Sequence, residues 1–203
     1  MDTKERITSE SLKLFMRYGI RSVTMDTIAE NLGISKRTIY ELFSTKDELI
    51  KACFNHISAE DEKQYQEILK NSGNVIEAFL HSIRRSVELM KSISPLFFHD
   101  IKKYYPEIFN CTGEEHSKRG YDRIIHFIKK GKEEGYLRKD INEDITTKLI
   151  MEQFNIMGNE ELFPPDKYNR SKLLENIAVN FVRGIATEEG LKIINNFNEQ
   201  FNN

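Results

Sequence analysis

The chain has little of several features that define whole classes of protein. Its 203 residues include 4 prolines, 10 glycines and 2 cysteines. Cys53 and Cys111 are too few for a disulfide framework, and their spacing fits no zinc finger. No apolar run approaches the roughly 18–20 residues that span a bilayer, and the first residues resemble no signal peptide. The sequence therefore predicts a protein of the reducing cytoplasm, without a metal, a cofactor or a membrane partner.

The composition favours a helix-rich globular protein of one or two domains. Hydrophobic residues make up 39% of the chain and charged residues 31%, a balance that a disordered or low-complexity chain does not have. The net charge is −2, and the first fifty residues carry eight basic and eight acidic side chains. Bulk charge therefore does not indicate a nucleic-acid partner, and only the positions of individual residues can do so.

Apolar residues recur at helical spacing through the first fifty residues, with breaks at Gly19 and Gly33. They predict a first helix from Thr3 to Tyr18, a second that follows Thr24, and a short third from Lys36 to about Phe43. The longer helical patterns that follow contain no convincing strand and no internal repeat. We expect an all-α protein with a three-helix domain over 1–47 and a larger helical domain over 48–203.

The second and third predicted helices have the layout of a helix-turn-helix motif. About eight helical residues, the turn Gly33-Ile34-Ser35 and about eight more have the right lengths, and glycine supplies the backbone freedom of a sharp turn. On the third helix one arc, about 140° wide at about 100° per residue, is polar and contains Lys36, Arg37, Tyr40 and Glu41. The opposite arc is apolar and contains Ile39, Leu42 and Phe43.

The polar arc has the chemistry of a DNA-reading surface. Arg37 can present two parallel donors to guanine O6 and N7. We also expect hydrogen bonds to bases or phosphates from Ser35, Lys36, Thr38 and Tyr40. We expect contacts that hold the DNA backbone from Thr24, Tyr40 and Lys46. A short basic amphipathic helix is more often a plain solvated face, and spacing alone leaves that alternative open.

The N-terminal quarter also resembles a known family. The residues that carry the resemblance are Thr24, Ile28-Ala29, Gly33-Ile34-Ser35-Lys36, Thr38-Ile39-Tyr40, Phe43, Lys46 and Leu49. As a set they are similar to the DNA-binding domain of the TetR family of bacterial transcription regulators. Arg37 departs from the pattern, because many members have glycine there, and we expect the change to alter operator preference rather than fold.

The resemblance implies nine or ten helices, binding to double-stranded DNA as a homodimer, and a C-terminal domain that binds a small-molecule effector. The last two long helices, expected at about Glu143–Met157 and Lys167–Ala186, would form a four-helix bundle with those of a second copy. The predicted interface residues are Ile150, Phe154, Met157, Leu174, Ile177, Ala178, Phe181 and Ile185. The alternative is that these stripes pack only within one chain.

An aromatic-rich segment interrupted by Pro106 is the candidate effector pocket. The residues predicted to line it are Phe97, Phe98, Ile101, Tyr104 and Tyr105, with Tyr121, Phe127, Met151 and Phe154 from later helices. Binding sites are commonly apolar with a few polar groups, so we expect a largely apolar or aromatic ligand. Aromatic stripes at helical spacing are, however, more often plain core.

Catalytic motifs are absent from the sequence, which predicts that the protein is not an enzyme. Cys111, Glu114, Glu115 and His116 lie close enough in sequence to suggest metal ligands, but a polar helix surface explains them better. The predicted function is that of a one-component transcription regulator. It is expected to be a repressor that a ligand releases from a palindromic operator. The alternatives are a ligand-independent helix-turn-helix regulator or adaptor that acts through protein contacts, and an all-α enzyme with a DNA-binding-like head.

Overall fold

Helices are the regular secondary structure of the part of the chain that the computed structural model describes, which is residues 2–201 without the side chains at 111–112 and 198–201. Within that part there are ten helices and no strand, so the predicted all-α fold is confirmed. The helices are α1 Thr3–Tyr18, α2 Met25–Leu32, α3 Lys36–Leu42, α4 Lys46–Asn71, α5 Val75–Ser92, α6 Pro95–Tyr104, α7 Pro106–Glu133, α8 Glu143–Ile156, α9 Arg170–Ile185 and α10 Glu188–Phe201. None of the described helices is both long and apolar enough to cross a membrane.

Local sequence signals account for the helix bounds in the first fifty residues. The predicted first helix has the bounds of α1, and α2 begins directly after its predicted cap at Thr24. Helix α3 ends one residue before the predicted Phe43, whose extended backbone (φ −140°, ψ 103°) closes it. Helix α4 begins at Lys46, because the Thr45 hydroxyl accepts from the Glu48 amide and the Glu48 carboxylate accepts from the Ser44 amide.

The C-terminal helices differ from the predicted ones in three respects. Helix α9 begins at Arg170 rather than at about Lys167, because the Asn169 side chain accepts from the Ser171 amide at 2.9 Å and caps the helix there. Helix α8 ends at Ile156, one residue early. A further helix, α10, follows the two that were expected to be last.

The chain packs as two units. The first contains Met1–Lys63 with Ser92–Glu115, and the second contains Gln64–Lys91 with His116–Asn203. The first unit therefore holds α1–α3 together with the N-terminal part of α4, all of α6 and the start of α7. The predicted division into a DNA-binding domain over 1–47 and a second helical domain over 48–203 remains a prediction.

Helix α6 is joined to the end of α1 by polar contacts inside the first unit. The buried Asp100 carboxylate accepts from the Arg21 amide at 2.8 Å, and the Ser94 amide donates to the Met16 carbonyl at 2.8 Å. Gly19 permits this approach, since it has φ 85° and a Cβ there would lie 2.9 Å from Asp100 Oδ2. These contacts attach α6 to the N-terminal helices. The core of this unit includes Ile7, Phe15, Ile28, Ile39, Leu49 and Ile50.

The second unit has its own apolar core. Phe79 of α5 stacks on Phe127 of α7 with ring centroids 4.5 Å apart, and both rings are buried. Around them lie Ile76, Leu80, Ile128, Leu137, Ile150, Ala178, Val182 and Ile194. The loop before α8 is held to the connection between α9 and α10 by backbone hydrogen bonds, in which the Arg138 amide donates to the Ile185 carbonyl and the Thr187 amide donates to the Tyr136 carbonyl.

Candidate nucleic-acid interface

Local interactions account for both ends of α2 and for the start of α3. The Thr24 hydroxyl accepts from the Thr27 amide at 3.1 Å and caps α2. Gly33 ends α2 in the left-handed region (φ 65°, ψ 34°), which a side chain rarely adopts. The Ser35 hydroxyl then accepts from the Thr38 amide at 3.1 Å and starts α3. The result is two short helices, α2 and α3, separated by three residues.

The inner sides of these helices are apolar and hold the pair in place. Ile28 on α2 and Ile39 on α3 are completely buried, and Phe43 follows them into the same core. The Arg6 guanidinium donates to the Leu32 carbonyl at 3.1 Å and thereby fixes the end of α2 to α1. Leu42 was expected on this apolar side but is 37% exposed, because the core closes over its neighbours and does not extend to it.

The outer side of α3 is polar and open to solvent. Ser35, Lys36, Arg37 and Tyr40 are exposed, and Thr38 is half-buried beside Ser35, with 2.8 Å between the two hydroxyl oxygens. The Lys36 ammonium lies 6.0 Å from the centre of the Tyr40 ring. Five of the predicted DNA contacts therefore lie in α3 or directly before it, and four of them are exposed.

Both cations of this face are paired with carboxylates. Lys36 Nζ lies 2.9 Å from Asp26 Oδ2, and the hydrogen bond to Asp26 raises the pKa of the lysine. Arg37 Nε lies 2.9 Å from Glu41 Oε1. Neither Asp26 nor Glu41 was among the predicted site residues. The spacing of four residues between Arg37 and Glu41 was the available signal, since side chains so placed are neighbours on a helix.

Lys46 is oriented differently from the other predicted contacts. Its ammonium donates to the Ile20 carbonyl at 2.5 Å and lies 5.6 Å from the centre of the Phe15 ring. Partial burial lowers the pKa of Lys46, although Asp100 and Asp47 oppose that effect. In this structure the lysine therefore holds the turn after α1, a role that its sequence position did not suggest.

The predicted effector-lining residues are divided between the two units. Phe97, Phe98, Ile101, Tyr104 and Tyr105 belong to the first unit, and Tyr121, Phe127, Met151 and Phe154 belong to the second. Phe97, Ile101 and Phe127 are buried core residues. Tyr104 accepts a hydrogen bond from Arg21 at 2.7 Å, and Tyr121 donates to Asp144 at 2.7 Å. The prediction that the nine form a pocket remains a prediction.

A different set of residues lines a cavity of about 470 Å³ in the second unit. It lies along the C-terminal half of α4 and the middle of α5, and its lining consists of Gln64, Glu67, Ile68, Asn71, Ser72, His81, Arg84, Arg85 and Glu88. Such a volume suits a small organic ligand. Eight of its nine lining residues are of polar or charged type, in contrast with the aromatic-rich set expected from the sequence.

Most of the predicted dimer contacts are covered within a single chain. Ile150, Met157, Leu174, Ala178 and Ile185 are buried, and Phe154, Ile177 and Phe181 are half-buried. The outward apolar side chains of α8 are instead Ile145, Leu149 and Ile156, which are 56%, 59% and 43% exposed. At about 100° per residue these three lie within about 40° of one another, so they form one stripe.

No group of three or more potential metal ligands occurs among the described residues. Glu114, Glu115 and His116 lie in the middle of α7, while the side chain of Cys111 lies outside the described residues.

The N-terminal geometry defines a helix-turn-helix protein, and comparison with known proteins agrees. The family model for bacterial regulatory proteins of the tetR family matches residues 7–53. The HTH-type transcriptional regulator YhgD of Bacillus subtilis is 31% identical over 181 residues, 86% of this chain and 94% of that protein. The chain therefore belongs to the TetR family of transcriptional regulators.

Two further proteins extend the comparison. The HTH-type transcriptional repressor KstR2 of Mycobacterium tuberculosis is 21% identical over 140 residues, 68% of this chain and 70% of that protein. A transcriptional regulator from Saccharomonospora viridis, solved in complex with choline, is 18% identical and has a TM-score of 0.67. The matched region covers 91% of this chain and 98% of that one. The second likeness concerns the fold alone.

Proposed function

We propose that this regulator is a repressor that binds a palindromic operator as a homodimer and leaves it when the second unit binds a small molecule. The observation that carries the proposal is the outer face of α3, a short capped helix whose Ser35, Lys36, Arg37 and Tyr40 are exposed while its other side is buried. A helix so presented can enter the major groove, which is about 12 Å wide.

The residues of this face have different roles in the proposal. Arg37 reads a guanine, because its guanidinium offers paired donors to O6 and N7. Ser35, Lys36 and Thr38 lie at or near the bases, and Thr24 and Tyr40 bind the DNA backbone and set the register. Lys46 contributes a phosphate contact only if its ammonium exchanges the Ile20 carbonyl for a phosphate oxygen.

A homodimer is proposed because one seven-residue helix reads too few base pairs to be selective. The exposed stripe of Ile145, Leu149 and Ile156 on α8 supports self-association, since apolar side chains at such exposure gain by burial against a second copy. Two recognition helices would then stand about 34–36 Å apart, one turn of DNA.

The effector is proposed to bind in the second unit. The cavity along α4 and α5 supports a polar or amphipathic ligand, because Glu67, Arg84, Arg85 and Glu88 contribute to its walls. The choline-bound regulator with the same fold and the repressor KstR2 are consistent with ligand-controlled repression. The ligand would lower DNA affinity only by as much as its own affinity differs between the two conformations.

The test is selection of bound duplexes from a random pool, followed by titration of the selected and a scrambled duplex at several salt concentrations. Arg37→Ala should weaken the selected duplex by about 1–3 kcal/mol and relax preference at one base in each half-site. Lys46→Ala should weaken both duplexes alike and reduce the salt slope by about 1 if the lysine reaches a phosphate.

Lys192→Ala is the matched control, because it removes an exposed, paired cation from the second unit. No enriched sequence with the unmodified protein would refute the proposal. Equal losses for Arg37→Ala on both duplexes would refute base reading by Arg37.

A further inference from the structure

The charges on α3 are arranged against the preference of an isolated helix. Lys36 and Arg37 lie in its first turn, where the positive end of the helix dipole favours acidic side chains, and Glu41 lies in its last turn, where basic side chains are favoured. A glutamate after its partner, rather than before it, is also the weaker order for an ion pair on a helix. Helix stability therefore does not explain why these residues stand where they do.

The Arg37–Glu41 pair contributes little to folding, because both side chains are open to water. Their exposed fractions are 88% and 59%, and exposed ion pairs are strongly screened. The contact nevertheless has a definite geometry, in which Arg37 Nε donates to Glu41 Oε1 at 2.9 Å. A guanidinium has five N–H donors, so the two terminal nitrogens remain available as a fork.

We infer that Glu41 is a specificity-determining residue for DNA binding, an inference that rests on the function proposed above. Its carboxylate orients the guanidinium of Arg37 towards a base and repels phosphates, so that the face binds weakly to any duplex without the matching guanine. Binding to random DNA is mainly the attraction between basic side chains and phosphates, and a carboxylate on the same face opposes it.

The neighbouring cation has a similar arrangement. Lys36 lies 2.9 Å from Asp26, which belongs to the first turn of α2. Each of these two cations on the outer face of α3 is therefore matched by an acidic side chain, and the first fifty residues are electrically balanced as a whole. A face of this kind obtains its affinity from a matched sequence rather than from charge alone.

The experiment compares Glu41→Gln and Glu41→Ala with the unmodified protein on the selected duplex and on a scrambled duplex. The glutamine keeps an oxygen that can accept from Arg37 but removes the charge, and the alanine removes both. At about 0.1 M salt, one lost opposing charge should raise affinity for scrambled DNA on the order of three- to tenfold. Affinity of Glu41→Gln for the selected duplex should change less, so the ratio of the two affinities should fall.

Repeated selection provides the second measurement. Glu41→Ala should flatten the preference at the base that Arg37→Ala also affects, and at no other base. Glu189→Gln is the matched control, since Glu189 forms an exposed pair with Lys192 at 2.7 Å in the second unit, and it should leave the ratio unchanged. Circular dichroism of each variant establishes that it is folded.

Three outcomes would overturn the inference. The first is an affinity ratio for Glu41→Gln within twofold of the unmodified protein. The second is an equal fall of that ratio in Glu189→Gln, which would indicate a general charge effect. The third is the absence of any enriched sequence with the unmodified protein, which would refute the proposed DNA-binding function and the role of Glu41 with it.

Discussion

Helices α3 and α8 both carry residues that were predicted to contact another molecule, but the structure exposes those residues to different degrees. On α3 the predicted polar residues are exposed and Ile39 is buried. On α8 the residues chosen as contacts for a second copy, Ile150 and Met157, are buried in their own chain, while Leu149 is exposed. The difference arises because α3 has one main apolar arc and α8 has two.

An apolar arc can be located on a helical wheel, but the wheel does not say what covers it. Over α8 and the residue that follows it, the inner arc contains Ile150 and Met157, and the outer arc contains Ile145, Leu149 and Ile156, roughly 80–140° away. Two arcs of similar apolar character leave the choice of the inward one to the surrounding helices. A helix with a single apolar arc needs no such choice.

The largest expected effect is on the free energy of unfolding, and it distinguishes the adjacent residues Ile150 and Leu149 of α8. Ile150→Ala should lower the free energy of unfolding by about 2–5 kcal/mol, because it leaves a cavity beside fully buried neighbours. Leu149→Ala should instead lower the unfolding midpoint only at concentrations where the unmodified protein is associated, and should make it less dependent on protein concentration, since it weakens association rather than the monomer core.

Urea unfolding at several protein concentrations, with light scattering for the molar mass, separates the two effects. Equal, concentration-independent losses for the two variants would contradict the assignment of inner and outer arcs.

A smaller effect, opposite in sign between the two regions, is expected from Gly→Ala substitutions. Gly33 adopts φ 65° with no neighbour in reach of an added Cβ, so Gly33→Ala should destabilise by about 1 kcal/mol through backbone strain alone. Gly184 lies within α9 and is equally open, so Gly184→Ala should stabilise by about 0.5–1 kcal/mol. Thermal unfolding measures both changes.

The sign at Gly184 is informative in itself. A loss of stability there that grows with protein concentration would mean that a second copy packs against this glycine, contrary to an open α9 surface.

The smallest expected effect on stability at neutral pH comes from Cys53, in the core of the first unit. Burial raises the pKa of the Cys53 thiol from 9.0 to about 12. The neutral thiol is therefore favoured by the folded state, and its contribution to stability is complete below pH 9 and is lost as the pH rises from 9 towards 12. In a Cys111→Ser background, the unfolding temperature should fall more steeply above pH 9 than in Cys53→Ala.

Thiol labelling in the same background provides the control, since Cys53 should react at pH 8 only as fast as the protein unfolds. Rapid labelling of the folded protein would show that this core is open.

Where signals are local, the structure follows the sequence closely. Thr24, Gly33 and Ser35 each determine a helix end through their own side chain or backbone, and each could be recognised in isolation. The start of α9 was predicted too early because the cap at Asn169 was overlooked. The inward bond of Lys46 to Ile20 could not be anticipated, because it joins residues 26 positions apart.

The candidate site divides in the same way. The polar arc of α3 was predictable from spacing within eight residues, whereas the attachment of Asp100 to the turn after α1 depends on α6 returning to the first unit. The cavity along α4 and α5 was likewise not predicted, because its walls come from two helices whose polar residues have no distinctive pattern.

From its sequence alone this chain is helical, begins with a capped helix pair, and presents a charged, hydrogen-bonding surface on the second of them, since helix periodicity, caps and glycine conformation act over a few residues. The tertiary structure decided which of two apolar sides of α8 faces inward. It also decided that the buried Asp100 carboxylate accepts from the Arg21 amide and that Lys46 donates to the Ile20 carbonyl. Those outcomes depend on burial and on contacts between distant segments, and neither is encoded within one turn of helix.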